Sequence, residues 1–365
     1  MSHYYEVMPD TLAQVMKKIP RQYFVKTRGR AYRSIAQTLL ICGLSLFFIY
    51  RLSLWDSWMK WPFGLSLAWL VLGTALTGAF DLAHDAAHRS LFNSVRENNI
   101  WGHFFSSLVG WPFHLWRHAH NLHHKYTNHG QKDVAWEPYP EASLVKISPF
   151  YRWAFVTIKS NVLVYWLGGV SHLWEQVLKF KKHKRFAAAD RPEIWFSFVI
   201  TTLIFSSYMA LTLSWGWFGF VAGFLVPIAR YYYWLTTFTM LHHLHPEKPF
   251  LDDAAWQKYT GAAQLLGTIN VRYGPYVDFL THNIGWHIPH HVSVAIPHYH
   301  LKDATLALQK AYPGLLHEEQ FSLKYLLYIL RNCQTIYSKT DLRWKRFAHI
   351  EARQGMTVDA INVPS

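Results

Sequence analysis

Uncharged, apolar runs of residues are the feature that most constrains the fold of this chain. One run extends from Ser34 to Tyr50, a second from Trp61 to Phe80 and a third from Ile194 to Ala229. A helix needs about 20 apolar residues to cross a bilayer, so the third run is long enough for two helices with a tight turn at Ser214–Trp217. The sequence therefore predicts an all-α membrane protein with four transmembrane helices in two hairpins, at about residues 34–50, 61–80, 194–213 and 217–238.

The composition agrees with this prediction. Hydrophobic residues make up 51% of the 365 positions and charged residues 16%, against about 25% charged residues in soluble domains. Aromatic residues make up 17%, which suits a protein whose Trp and Tyr side chains line two membrane–water interfaces. The cysteines are Cys42 and Cys333, too few for a disulfide framework or for a metal site built mainly from thiolates.

Three histidine clusters are the strongest indication of a chemical site. They read His84-x-x-x-His88, His120-x-x-His123-His124 and His287-x-x-His290-His291. Residues at positions i, i+3 and i+4 lie on one helix face, so each cluster is expected to present its ring nitrogens in one direction. Neutral imidazole is the commonest side-chain metal ligand. Histidines scattered by chance would not repeat the same pattern, so the clusters predict a metal site in which nitrogen ligands converge.

Two further uncharged stretches, at residues 98–116 and 160–174, are weaker candidates for membrane spans. The first contains histidines and Pro112, and the second is short and bounded by Lys159 and Glu175. If only the first stretch crossed the membrane, the first two histidine clusters would lie on opposite sides and could not converge. We therefore expect both stretches to form interfacial or re-entrant helices.

Basic residues indicate the orientation in the membrane. They precede the first run at Lys17, Lys18, Arg21, Lys26, Arg28, Arg30 and Arg33, and the third run at Lys179, Lys181, Lys182, Lys184, Arg185 and Arg191. Because basic loops favour the cytoplasmic side, both termini, the long loops and all three clusters are expected there. The formal net charge of +14 then has two explanations: attraction to anionic lipid headgroups, or a docking surface for an acidic electron carrier.

The clusters stand in sequence contexts that resemble a known family. These contexts are Asp81-Leu-Ala-His84-Asp-Ala-Ala-His88, His120-Asn-Leu-His123-His124-Lys-Tyr-Thr-Asn128 and His282-Asn-Ile-Gly-Trp-His287-Ile-Pro-His290-His291, with Asp133-Val-Ala-Trp136 and Ile296-Pro-His298-Tyr-His300 nearby. Over about residues 30–320 the chain resembles the integral-membrane fatty-acid desaturases with three histidine boxes, most of all the delta-12/omega-6 acyl desaturases. The resemblance implies four membrane helices carrying a cytoplasmic helical cap that holds a histidine-ligated di-iron site.

The resemblance to this family implies that particular histidines are metal ligands. The histidines of the three boxes are His84, His88, His120, His123, His124, His287, His290 and His291. The resemblance also implies a ligand from the segment at the end of the fourth span, where His243 is favoured and His245 is the next choice. It implies two iron ions, alternating between Fe2+ and Fe3+, with O2 as co-substrate. The electrons are expected from an external donor of ferredoxin or cytochrome b5 type.

The implied activity is the introduction of a double bond into a long acyl chain, at delta-12/omega-6 of a monounsaturated chain. The expected partners are the lipid acyl substrate, the membrane and the electron donor, and no nucleic acid. The alternative within the same class is a di-iron hydroxylase of lipids, alkanes or carotenoids. A metal or proton transporter is disfavoured, because the first three predicted spans carry no charged residue and the fourth carries only Arg230.

The remaining expectations concern supporting residues and domain limits. Candidates for orienting the imidazole rings are Asp85, Asp133, Asp252, Asp253 and Asn283. Supporting or structural roles are expected for His298, His300, His103, His114, His118 and His129. The chain is expected to divide into a cytoplasmic segment at residues 1–33, a desaturase domain at 34–320 and a cytoplasmic tail at 321–365. The expected location is a bacterial inner membrane, with the endoplasmic reticulum or thylakoid membrane as alternatives.

Overall fold

The computed structural model describes residues 3–7, 10–135, 139–140, 146–179, 187–333, 336–337 and 344–345. The first helices are α1 (His3–Glu6), α2 (Leu12–Lys17), α3 (Arg28–Ser53), α4 (Lys60–Ala87), α5 (Val95–Leu108), α6 (Phe113–Lys125), α7 (Pro149–Ser160) and α8 (Leu167–Lys179). Trp136 and the basic residues Lys181, Lys182, Lys184 and Arg185 lie outside the described residues, as does most of the predicted tail.

The second half of the chain is also mainly helical. Its helices are α9 (Arg191–Leu213), α10 (consecutive segments Gly216–Phe220, Val221–Leu225 and Val226–His243), α11 (Asp253–Lys258), α12 (Thr260–Leu266), α13 (Pro275–Leu280), α14 (His287–Val292), α15 (Leu301–Ala311) and α16 (Leu323–Asn332). Short 3-10 helices lie at Arg21–Phe24, Ala188–Asp190 and His298–His300. The described strands are β1 (Tyr139–Pro140), β2 (Asn270–Arg272), β3 (Glu318–Gln320), β4 (Ile336–Tyr337) and β5 (Trp344–Lys345). Strands β1 and β4 pair in parallel, as do β2 and β3, whereas β4 and β5 are antiparallel.

Three helices in the described part of the chain are long and apolar enough to cross a membrane: Arg28–Ser53, Lys60–Ala87 and Ala188–Leu213. They contain the first three predicted spans and extend each of them. The fourth predicted span lies within α10 but is not among the three, because Arg230 and the adjacent tyrosines make this helix less apolar. The helical class and three candidate spans are thus confirmed, and the fourth span remains a prediction.

The two weaker uncharged stretches do not form continuous helices. Residues 98–116 contain the end of α5 and the start of α6, separated by a turn in which Gly110 has a φ of +83°. Residues 160–174 contain the end of α7 and the start of α8, with turns between them. Neither stretch is among the candidate spans found in the described residues, and an interfacial or re-entrant position for both remains a prediction.

Close packing of α4 against α10 brings the ends of both helices to the same side. A Cβ at Gly73 in α4 would lie 2.5 Å from the Cβ of Arg230 in α10, so glycine is needed for this approach. The Trp234 Nε1–H donates a hydrogen bond to Thr74 Oγ1 at 3.1 Å. As a result, the histidines at the C-terminal end of each helix lie near one another.

The helices that follow α10 pack with the N-terminal segment in a second hydrophobic core. Tyr5 from the N-terminal segment is buried in one cluster with Leu265, Ile288 and Leu308. Ile288 belongs to α14, whose start is fixed further because the Ile288 N–H donates to Asn270 Oδ1 at 2.8 Å. This core holds the helix that carries the third histidine cluster.

Candidate metal centre

Two neighbouring groups of histidine nitrogens lie where the ends of α4 and α10 meet α6 and α14. Within each group the nitrogen atoms that could bind a metal ion all lie within 4.8 Å of one another. The first group contains His84, His88, His120, His124 and His290. The second group contains His123, His243 and His291, and the Nε2 of His287 lies 3.0 Å from the Nε2 of His243. The chain therefore brings together all the histidines of the three boxes and one from the end of α10.

Helices α6 and α14 each contribute to both groups. In α6, His120 and His124 belong to the first group and His123 to the second. In α14, the adjacent His290 and His291 are divided in the same way. Neighbouring helix positions differ by about 100° around the axis, which is enough to separate them. The expectation that each cluster faces one direction was therefore wrong for these two helices.

The nitrogen positions of the first group fit a metal ion. The Nε2 atoms of His84 and His120 are 2.9 Å apart, and those of His120 and His124 are 3.0 Å apart. The Nε2 atoms of His124 and His290 are also 3.0 Å apart. Two nitrogens bound to one divalent ion at about 2.1 Å lie about 3 Å apart when their bonds are near a right angle. The same separation occurs in the second group, between His243 and His287.

Burial favours the neutral form of most of these imidazoles, which is the form that metal ligation requires. Desolvation lowers the pKa well below the ordinary histidine value at His88, His120, His124, His287, His290 and His291, and nearby histidines lower it further. Within the described part of the chain, both ring nitrogens of His88 and the Nε2 of His291 are buried without a hydrogen-bond partner. Buried polar atoms without partners are costly, so these nitrogens also fit metal ions.

A buried carboxylate holds one ring of the second group. The Nδ1–H of His123 donates to Asp133 Oδ1 at 2.7 Å. Asp133 also accepts the N–H groups of Asn128 and Ala135, at 2.9 and 3.0 Å. With the proton on Nδ1, the Nε2 of His123 carries the free lone pair. The structure thus gives Asp133 the supporting contact that the sequence predicted.

Gln264 makes a second supporting contact, which the sequence did not predict. Its Oε1 lies 3.1 Å from Nδ1 of His291, and its Nε2 donates to the His124 carbonyl at 2.8 Å. The hydroxyl of Thr127 also lies 3.2 Å from Nδ1 of His291. Gln264 lies in α12, which carries no histidine box, and no sequence pattern distinguishes it.

Asp85 and His298 connect the first box to α3. The Asp85 carboxylate accepts both the Nδ1–H and the backbone N–H of His298, at 2.8 and 2.9 Å. The Nε2 of His298 lies 2.8 Å from the Ser34 hydroxyl. His282 makes an equivalent contact with Thr38, also at 2.8 Å. These histidines therefore link the boxes to α3 and lie outside both groups.

His245 lies apart from the two groups. The structure places it in a separate group with His317 and Glu319. The helix ends at His243, and the extended backbone of Leu244 turns the following residues away. Of the two histidines considered in this segment, the structure brings His243 into the second group.

Other residues near the boxes also have partners elsewhere. Four further histidines form a hydrogen bond with a backbone carbonyl or a carboxylate: His103, His114, His118 and His129. Asp252 caps α11 by accepting the Ala255 N–H at 2.8 Å, and the exposed Asp253 pairs with Lys132. These acidic residues therefore act as a helix cap and a surface ion pair.

A largely apolar cavity of about 720 Å³ opens beside the two groups. His84, His120 and His243 form part of its wall, together with apolar side chains such as Phe80 and Met240. Its volume lies within the range of small-molecule sites, about 300–1,000 Å³. A long apolar chain bound here would lie directly against the histidines.

Comparison with known proteins identifies the family. The fatty acid desaturase family model matches residues 56–321. The sn-1 oleoyl-lipid 12-desaturase of Anabaena variabilis is 33% identical over 338 residues, 92% of each chain. The protein of the same name from Synechocystis sp. is 34% identical over 327 residues, 88% of each chain. The chloroplastic omega-6 fatty acid desaturase of Glycine max is 30% identical over 341 residues, 90% of this chain and 74% of that protein.

The chain belongs to the fatty acid desaturase family. It is an oxidoreductase that desaturates fatty acyl chains, as the sequence predicted, and the hydroxylase alternative is not favoured. Desaturases of this family are generally di-iron enzymes, and the two histidine groups are compatible with metal binding. Soluble di-iron proteins with four-helix bundles use glutamates and Glu-x-x-His motifs instead. The two groups of this desaturase consist of histidine alone.

Proposed function

We propose that each histidine group binds one iron ion and that the two ions form the di-iron centre of this desaturase. One ion is assigned to His84, His88, His120, His124 and His290, and the other to His123, His243, His287 and His291. The observation that carries this proposal is that the histidines of α6 and of α14 are shared between two adjoining groups. A single ion would need only one group. The proposal does not extend to His245, which has its own neighbours.

The iron pair, when bound and reduced by two electrons, supplies with O2 the oxidant that removes two hydrogens from unactivated methylenes. The protein contributes binding and orientation. Burial favours the neutral form of imidazoles such as those of His120, His124 and His290. Asp133 and Gln264 fix the orientation of two rings. The apolar cavity wall positions the acyl chain beside the histidines and keeps bulk water away. The overall reaction converts a saturated bond to a double bond and reduces O2 to water.

The proposed substrate is a monounsaturated acyl chain of a glycerolipid, desaturated at the delta-12/omega-6 position. The relatives in Anabaena variabilis and Synechocystis sp. are named for this position on an oleoyl lipid, and each is matched over nearly its whole length. The large apolar cavity supports a long hydrocarbon chain as the substrate. We propose the same reaction for this chain.

We further propose a fourth span in α10, giving four membrane helices in two hairpins. The helical cap then lies in the cytoplasm together with the metal centre. Close packing of α10 against α4 supports this arrangement, as do the basic residues that precede the first and third spans. We retain the limits 34–320 for the desaturase domain, with cytoplasmic segments at 1–33 and 321–365. A bacterial inner membrane is the proposed location.

The electron donor is proposed to be an external acidic carrier of ferredoxin or cytochrome b5 type. The net charge of +14 supports this assignment, because complementary charge speeds the encounter of two proteins.

The proposed function can be tested by expression in a host whose membranes contain monounsaturated but no diunsaturated chains. Mass spectrometry of the extracted lipids should show a new diene with its second double bond between carbons 12 and 13. A hydroxylated chain, or no new product from correctly inserted protein, would contradict the proposal. His291→Ala provides the control, since it should insert into the membrane but form no diene.

A further inference from the structure

The helices α7 and α8 cover one side of the cavity. Phe155, Ile158 and Lys159 from α7 line it, as do Leu167 and Gly168 at the start of α8. The same cavity is also lined by His84, His120 and His243 of the two histidine groups. A substrate chain can therefore contact this helix pair and the metal centre at the same time.

The α7–α8 pair and the turn between its helices carry many exposed apolar side chains. Large exposed side chains here are Phe150, Tyr151, Trp153, Leu163 and Trp174. Aromatic residues are enriched where a protein meets the membrane–water interface. The pair is therefore suited to lie at the level of the lipid headgroups, where an acyl chain joins its polar end.

Lys159 is a cation in the wall of this apolar cavity. Its ammonium lies 5.8 Å from the centre of the Phe155 ring. Within the described part of the chain no carboxylate forms an ion pair with it, not even Glu175 of the same cavity wall. Burial lowers the pKa of Lys159, and no nearby charge offsets that effect.

The ammonium lies close to the backbone of Gly168 at the start of α8. A Cβ at that position would lie 3.0 Å from the Nζ of Lys159. The cavity wall therefore leaves room for the cation at the start of α8.

An unpaired, largely desolvated ammonium costs free energy unless a ligand supplies the missing partner. An acyl lipid has suitable groups only at its carboxyl end, namely the ester oxygens and, in a phospholipid, the phosphate oxygens. Lysine can donate up to three hydrogen bonds to such oxygens. Charge-assisted bonds of this kind are stronger than neutral ones.

We propose that Lys159 binds the oxygen atoms at the carboxyl end of the acyl lipid and so sets which methylenes reach the histidine groups. An apolar wall alone discriminates weakly between chain positions that differ by one carbon. If Lys159 holds the polar end of the lipid, the distance from Lys159 to the metal centre determines which carbon atoms of the chain lie beside the histidines. This inference rests on the acyl-lipid substrate proposed above and goes beyond it by assigning the residue that positions the substrate.

The test uses the full-length, iron-loaded enzyme in lipid nanodiscs with a chemical reductant. Two substrates are compared, oleoyl phosphatidylglycerol and the uncharged oleoyl monogalactosyldiacylglycerol. The variants are Lys159→Met, Lys159→Arg and Lys146→Met. The last removes an exposed positive charge that lies just before α7 and outside the cavity wall. KM, kcat and the position of the new double bond are measured for each.

For Lys159→Met we expect KM to rise by about 10- to 100-fold, the loss typical of a charge-assisted hydrogen bond. The double bond should also spread to neighbouring positions. Lys159→Arg should recover most of both properties, and Lys146→Met should behave as the wild type. An equal effect on both lipids would assign the contact to the ester oxygens, and an effect confined to the phospholipid would assign it to the phosphate.

An unchanged KM and an unchanged double-bond position in Lys159→Met would overturn the inference. So would a lower kcat with unchanged KM that Lys159→Arg does not recover, because that result indicates a purely structural role. A wild-type enzyme that hydroxylated the chain would refute the proposed function instead. KM and the site of oxidation would still report on Lys159 in that case.

Discussion

Oδ1 of the buried Asp133 carboxylate lies 2.7 Å from Nδ1 of His123 and accepts a hydrogen bond from the Nδ1–H group. Two backbone N–H groups, from Asn128 and Ala135, hold the same carboxylate in place. The contact fixes the orientation of a ring that belongs to the second histidine group. Asp133 therefore supports the proposed iron site by orienting His123, one of the residues that would hold the ion.

Replacing this carboxylate should weaken iron binding. Asp133→Asn removes the negative charge and one acceptor for the backbone N–H groups, so the His123 ring loses its fixed orientation. We expect about a 10- to 100-fold loss of iron affinity, measured by competition with a chelator. Asp253→Asn is the matched control, because Asp253 is exposed and pairs with Lys132. Equal affinities of the Asp133 variant and the wild type would show that the contact has no role in metal binding.

Acidification should destabilise the protein and release iron. Burial lowers the pKa of His120, His124 and His290 well below the ordinary value, whereas in the unfolded chain they titrate near pH 6.5. The unfolded state therefore binds more protons below about pH 6.5, and stability falls as the pH decreases further. We expect the Tm of the metal-free protein to fall between about pH 7 and pH 5. A Tm that is constant over this interval would contradict neutral, buried imidazoles.

The close contact at Gly78 should be sensitive to the smallest added side chain. A Cβ at this position of α4 would lie 1.8 Å from the Leu280 carbonyl oxygen. We expect Gly78→Ala to destabilise the protein by about 1–3 kcal/mol, as overpacking does, and to lower the yield of folded protein in detergent. Gly43→Ala in α3 is the control, since no atom lies within 4 Å of its added Cβ. Similar yields from both variants would show that α4 can move away from α13.

The sequence predicted the membrane helices better than their ends. An uncharged run identifies the part of a helix that hydrocarbon can surround, and α3 and α4 contain such runs. Both helices continue beyond these uncharged runs, because backbone hydrogen bonds can extend a helix past the edge of the hydrocarbon layer. For α10, Arg230 and its tyrosine neighbours reduce the apolar signal over a segment that is helical throughout.

The spacing of the histidines was enough to find the three boxes, but it did not show how these histidines are distributed between two groups. Spacing alone places His123 and His124 on nearby parts of one helix face, and only the surrounding helices show that they face different groups. Gln264 could not be found because its role depends on how α12 packs against α6 and α14. The separation of His245 from His243 follows from the end of α10 at His243, an end that Pro246 marks in the sequence only to within a few residues.

The central claim is that two adjoining histidine groups bind two iron ions. Iron content per chain, measured by elemental analysis of protein purified under reducing, anaerobic conditions, tests it most directly. We expect two iron ions per chain in the wild type. His243→Ala should lower this number while the protein stays folded, and His245→Ala should not. A single iron ion per folded wild-type chain, or an equal loss from both variants, would contradict the assignment.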